Sequence, residues 1–130
     1  MLYYYINVNL YKNIIKYLLF VLSVVCIYGG IEGLILGKSD YDYIIDNSYR
    51  FFSGMYLGVG LIFFWIGLTI HKHNEIIFLI AFLIFLSALG RIISLINFGF
   101  YENNYIFYIL IEVFLSIVLI FLNTLSNKIK

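Results

Sequence analysis

The stretch Ile76-Ile77-Phe78-Leu79-Ile80-Ala81-Phe82-Leu83-Ile84-Phe85-Leu86-Ser87-Ala88-Leu89-Gly90-Arg91-Ile92-Ile93-Ser94-Leu95-Ile96 decides the fold. A helix needs about 20 mostly apolar residues to cross the hydrocarbon core of a bilayer, and this run supplies them with Arg91 as its single charge. Three more runs of the same kind stand at Tyr17–Leu36, Phe51–Ile70 and Tyr105–Leu122. The connection His71–Glu75 is so short that the second and third spans must form an antiparallel hairpin. In lipid the backbone has to satisfy its own hydrogen bonds, so a chain without strand-like alternation spans as helix. The expected fold is all-α, an integral membrane bundle of four transmembrane helices. It is expected as a single domain over residues 1–130, with helices near 14–37, 49–70, 75–96 and 105–125.

Composition points the same way. The chain has 130 residues, 64% of them hydrophobic and 12% charged. Ordinary soluble domains carry about 25% charged residues, and a water-soluble fold of this size could not hide so much apolar surface. A net charge of +1 offers no basis for nucleic-acid binding. The absence of proline predicts helices without proline kinks. Cys26, the only cysteine, lies within an apolar run and is expected to pack as a small hydrophobe. Many of the 13 tyrosines stand near the ends of the runs, where an apolar ring with a polar tip suits a membrane interface.

Lys12 and Lys16 ahead of an apolar stretch could suggest a signal peptide. The run continues to Leu36 without an A-x-A-like site, which favours a retained span. Lysine distribution predicts orientation. Lys12, Lys16, Lys72, Lys128 and Lys130 fall on one side, and Lys38 with Asp40, Asp42, Asp46 and Glu102 on the other. Both termini are therefore expected in the cytoplasm and the acidic loop Gly37–Tyr49 outside.

Four ionisable residues lie in or at the edge of the spans: Glu32, Arg50, Arg91 and Glu112. A charge near the bilayer centre costs at least about 2.5–3.5 kcal/mol on insertion scales, so such residues turn inward and pair. At about 1.5 Å of rise per residue, Glu32, Arg91 and Glu112 lie about 6, 7.5 and 10 Å inside the outer ends of their helices, with Arg50 at the end of its own. Two acids and two bases at one level predict a neutral polar layer in the outer half.

Residues three, four or seven apart share a helix face. Tyr105, Tyr108, Glu112 and Ser116 form one polar stripe, and Ser87, Arg91 and Ser94 another. Arg50, Gly54 and Gly58 align with Ser53 beside them, and Gly29, Gly33 and Gly37 make a small-residue ridge beside Glu32. Glycine at four-residue spacing lets helices approach closely in lipid, so Gly29, Gly33, Gly54, Gly58 and Gly90 are candidate packing positions. The same ridges would also suit a homodimer face.

His71 and His73 flank Lys72 without further ligands nearby, and Asp40, Asp42 and Asp46 lack the pattern of a calcium loop. No catalytic motif, metal set or cofactor site is expected.

The stretch Tyr49-Arg50-Phe51-Phe52-Ser53-Gly54-Met55-Tyr56-Leu57-Gly58-Val59-Gly60, followed by Ala88-Leu89-Gly90-Arg91-Ile92-Ile93-Ser94 and Ile111-Glu112, resembles the family called domain of unknown function 4345. The resemblance runs from Ile14 to Leu125, and that family is similar to DoxX-like four-helix membrane proteins. It implies a four-helix bundle in a bacterial cytoplasmic membrane and no activity. Some DoxX-like relatives are associated with quinol-linked redox complexes, which implies quinone or partner-subunit binding by analogy. The leading expectation is a non-enzymatic protein that binds a lipid- or quinone-like molecule, or a partner subunit, at the Arg/Glu cluster. Glu32, Arg50, Arg91, Glu112, Ser94, Tyr105 and Tyr108 are its candidate site residues. The alternative is a proton- or solute-coupled transporter acting as a homodimer.

Overall fold

In the computed structural model of the chain, residues 2–38, 43–72, 74–99 and 103–128 are described, with side chains over 8–38, 43–72, 75–97, 99 and 106–127. Four helices follow one another: α1 at Leu2–Leu36, α2 at Tyr43–Leu68, α3 at Asn74–Phe98 and α4 at Asn103–Lys128. A single 3-10 turn at Ile70–Lys72 separates α2 from α3. No strand occurs among the described residues. Stretches within all four helices are long and apolar enough to cross a membrane: Val8–Leu36, Tyr43–Leu68, Glu75–Asn97 and Ile106–Asn127. The fold is all-α.

The helices run longer than the apolar runs suggest. α1 begins at Leu2 and α2 at Tyr43, ahead of Phe51 where the apolar run of that span starts. Asp46 explains part of the extension. It stands in the first turn of α2, where an acidic side chain opposes the positive end of the helix dipole, and it pairs with Arg50 one turn on.

Helix ends follow from glycine. Gly37 and Gly99 stand just past α1 and α3 with φ of 60° and 79°, the left-handed region that a side chain disfavours. Their amides donate back to Gly33 and Leu95 at 3.1 and 2.9 Å, closing the last turns.

The chain divides into two compact units. One is Asn13–Ile70, and the other joins Met1–Lys12 to His71–Lys130.

In the first unit α1 and α2 pack antiparallel. Ile15, Leu19, Ser23, Cys26, Gly30 and Gly33 are buried along α1 at three- and four-residue spacing. Ser53, Gly60, Phe63, Ile66 and Gly67 are buried on α2. Contact is backbone-close. A Cβ at Gly30 would lie 2.6 Å from the Leu57 nitrogen, one at Gly60 2.9 Å from the Ile27 nitrogen, and one at Gly67 2.8 Å from the Phe20 ring. Lipid offers no hydrophobic drive between helices, so this close van der Waals approach is what associates them. Ser23 adds a buried hydrogen bond across the seam, its hydroxyl donating to the Gly60 carbonyl at 2.8 Å. Cys26 is buried with a free thiol in the same seam.

In the second unit α3 packs on α4. Ile77, Ala81, Ile84 and Ala88 form the buried stripe of α3, and Ser116, Leu119, Asn123 and Ser126 that of α4. Carried one turn toward the α3–α4 loop, the two stripes reach Arg91 and Glu112.

Candidate functional site

Arg91 and Glu112 meet at the loop end of the α3–α4 seam. The Arg91 Nε donates to both carboxylate oxygens of Glu112, at 3.1 Å to Oε1 and 3.2 Å to Oε2. Ser87, one turn before Arg91 on α3, donates its hydroxyl to the same Oε1 at 3.0 Å. Three-residue spacing puts Ala88 and Arg91 on one face, and four-residue spacing does the same for Glu112 and Ser116. At about 1.5 Å per residue, Arg91 lies about 10 Å inside the loop end of α3 and Glu112 about 14 Å inside that of α4.

Among the described residues, only one edge of the guanidinium meets a hydrogen-bond partner. Nε faces Glu112, and neither terminal nitrogen hydrogen-bonds a described residue. Arginine carries five N–H donors, and four of these have no acceptor among the described residues. The Arg91 side chain is 38% exposed while that of Glu112 is 19% exposed, so the base is the accessible member of the pair. Tyr108, on α4 one turn before Glu112, holds its ring 5.5 Å from the guanidinium carbon.

Ser94 stands one turn beyond Arg91 and is exposed, with no hydrogen bond to a described residue. Other hydroxyls in these helices fold back on their own carbonyls, as Ser53 does to Tyr49 and Thr124 to Ile120, both at 2.8 Å. The Tyr105 side chain lies outside the described residues, as do His73, Asp40, Asp42 and Glu102.

The other two span charges belong to the first unit and are used differently. Arg50 pairs with Asp46, Nε to Oδ2 at 2.8 Å, and donates through Nη1 to the Leu34 carbonyl in the last turn of α1. Asp46 in turn accepts the Lys38 amide at 2.6 Å. Together the two residues cap the end of α1, whose last carbonyls have no partner within the helix. Glu32 is exposed on α1 and makes no ion pair with a described residue.

The glycines divide as well. Gly33 is in the tight seam, where a Cβ would lie 2.9 Å from that of Ser53, and Gly29 faces the Tyr56 ring at 3.3 Å. A Cβ at Gly54 would meet only Leu34, at 3.8 Å, and at Gly58 and Gly90 it would meet nothing within 4 Å. The close approach runs instead through Gly30, Gly60 and Gly67, which the four-residue pattern passed over. Sequence reasoning passed over Asn123 and Ser126 and read Lys12 only as a charge that sets orientation; all three are buried polar residues of the second unit with interaction partners. The spacing Ser116–Leu119–Asn123–Ser126 was the available signal, since it continues the Glu112 stripe down α4.

Among the described residues no group of His, Cys, Asp and Glu is placed to hold a metal ion. What the Arg91 arrangement can do is present a fixed fork of donors to an oxygen acceptor within an apolar surrounding.

No curated protein and no solved structure matches the chain. The sequence does match the family described as Domain of unknown function (DUF4345) over residues 14–123, and the chain belongs to that family.

Proposed function

We propose that this multi-pass membrane protein is a non-enzymatic binder whose site is the Arg91–Glu112 pair. Its ligand is a lipid- or quinone-like molecule, or the equivalent oxygen acceptor of a partner subunit. One observation carries the reading: Arg91 is oriented by Glu112 through Nε alone, and its remaining donors point to no described acceptor in an apolar helix surface. An arginine within a span is costly, and one with most of its donors unmatched among the described residues is better explained by a guest than by packing. Glu112, fixed in turn by Ser87, keeps the fork in place, and Ser94 and Tyr108 flank it. Arg50 is a structural cap in this reading rather than a ligand donor.

The setting belongs to the same proposal. Lysines gather at the termini and at Lys72, which supports an inner-membrane orientation with both ends in the cytoplasm. The site then opens to the outer half of the bilayer. Kinship with DoxX-like proteins rests on the resemblance of short motifs.

Native mass spectrometry of gently extracted protein tests the site. The wild-type chain should carry a co-purifying amphiphile, and the double variant Arg91→Leu with Glu112→Leu should fold and lose it. Equal adducts in both would remove the site assignment.

A further inference from the structure

We infer that the ligand of Arg91 is uncharged at its head and presents a carbonyl oxygen. The inference rests on the reading of Arg91 as ligand donor. Charge balance comes first. The Arg91–Glu112 pair sums to zero, and the remaining charged side chains described in this unit, Lys12, Lys72 and Glu75, stand near the opposite ends of its helices. An anion at the terminal nitrogens of Arg91 would gain the guanidinium and also meet the full charge of Glu112 behind it. Low dielectric strengthens attraction and repulsion together, while the anion still gives up its hydration. A neutral carbonyl gives up far less hydration and still receives charge-assisted hydrogen bonds.

Depth is the second argument. Both residues lie about 10 Å or more inside the loop ends of their helices, and the hydrocarbon core is about 30 Å thick with the headgroups outside it. A phosphate would have to be drawn below its own layer to reach Arg91. A carbonyl attached directly to an apolar tail can enter at that level. Ser94 is the third. Its hydroxyl, on the Arg91 face and nearer the loop, is without a described partner and both donates and accepts. Leu95, four residues past Arg91 on the same face, is half-buried and leaves apolar surface beside the pair for a tail. The shared chemistry is an uncharged carbonyl head on an apolar tail, and an isoprenoid quinone or a neutral acylglycerol would bring it.

The full chain in neutral maltoside micelles, titrated with decyl-ubiquinone, dioleoylglycerol or dioleoylphosphatidic acid and read by native mass spectrometry, tests this. One of the two neutral probes should bind roughly tenfold or more tighter than the phosphatidic acid, and which one does identifies the source. Arg91→Leu should abolish that binding. Glu112→Gln, which leaves the site cationic, should turn the preference toward phosphatidic acid. Tighter wild-type binding of phosphatidic acid that Arg91→Leu abolishes overturns the uncharged head and keeps Arg91 as donor. Binding of no probe, or binding that Arg91→Leu leaves unchanged, overturns both readings. The double leucine variant, with helical content followed by circular dichroism, separates loss of the site from loss of fold.

Discussion

Gly30 of α1 stands against the backbone of Leu57 on α2, so near that a Cβ there would lie within 2.8 Å of three Leu57 atoms. Two helices touching backbone to backbone in lipid are held by surface fit, and the fit depends on what glycine lacks. Gly30→Val should therefore destabilise the α1–α2 hairpin by about 1–3 kcal/mol, the usual cost of overpacking. Gly58→Ala and Gly90→Ala, where a Cβ meets nothing within 4 Å, should be neutral or mildly stabilising. Unfolding by sodium dodecyl sulfate titration in mixed micelles checks the contrast. Equal effects at Gly30 and Gly58 would contradict the packing.

Ser23 and Ser53 are both buried serines of the same seam with different bonds. Ser23 donates across it to Gly60, while Ser53 donates to Tyr49 on its own helix. Ser23→Ala should cost about 0.6 kcal/mol, typical of an interhelical hydrogen bond in a membrane. Ser53→Ala should cost less, because no bond between helices is lost. The same titration reads both.

The cap on α1 gives a local prediction. Arg50→Leu takes a donor from the Leu34 carbonyl and the partner from Asp46, which receives the Lys38 amide. Amide exchange at Gly37 and Lys38 should quicken while exchange in the middle of α1 stays unchanged. The global loss should be smaller than that of Gly30→Val, since both charged groups keep access to solvent. Uniform quickening along α1 would count against a local capping role.

For the second unit, removing one charge should be worse than removing both. Glu112→Leu leaves Arg91 without its counter-charge in an apolar span, and should cost about 1–3 kcal/mol, below the range of fully buried pairs because Arg91 is partly exposed. Arg91→Leu with Glu112→Leu should recover most of that loss. A double-mutant cycle on thermal unfolding in detergent measures the coupling. A double variant weaker than either single one would refute it.

The four spans were legible because lipid imposes one requirement along the chain, and apolar runs such as Ile76–Ile96 record it directly. Helix starts were less legible. Tyr43–Arg50 is polar enough to read as loop, and only the i, i+4 pairing of Asp46 with Arg50 reveals the extra turns of α2. At the site, similar depth and opposite sign put Arg91 and Glu112 in one layer with Glu32 and Arg50, but the sequence did not say which charges pair. Arg50 had two acids within reach, and sequence position does not say that Asp46 on its own helix prevails over Glu32. Glycine spacing shows which positions are small but not the azimuth of the neighbouring helix. Gly30 and Gly60 hold the contact while Gly54 and Gly58 stand aside from it for that reason.

The two hairpins will differ in how they wear under mutation. In the first, the critical positions are defined by missing atoms, so damage comes from whatever is added at residues 30, 33, 60 and 67. In the second, the critical positions are defined by charges that neutralise each other, so damage comes from taking one away and is repaired by taking the other. A saturation library should accordingly show near-uniform intolerance at the first set, and at residues 91 and 112 an intolerance lifted by a second-site change.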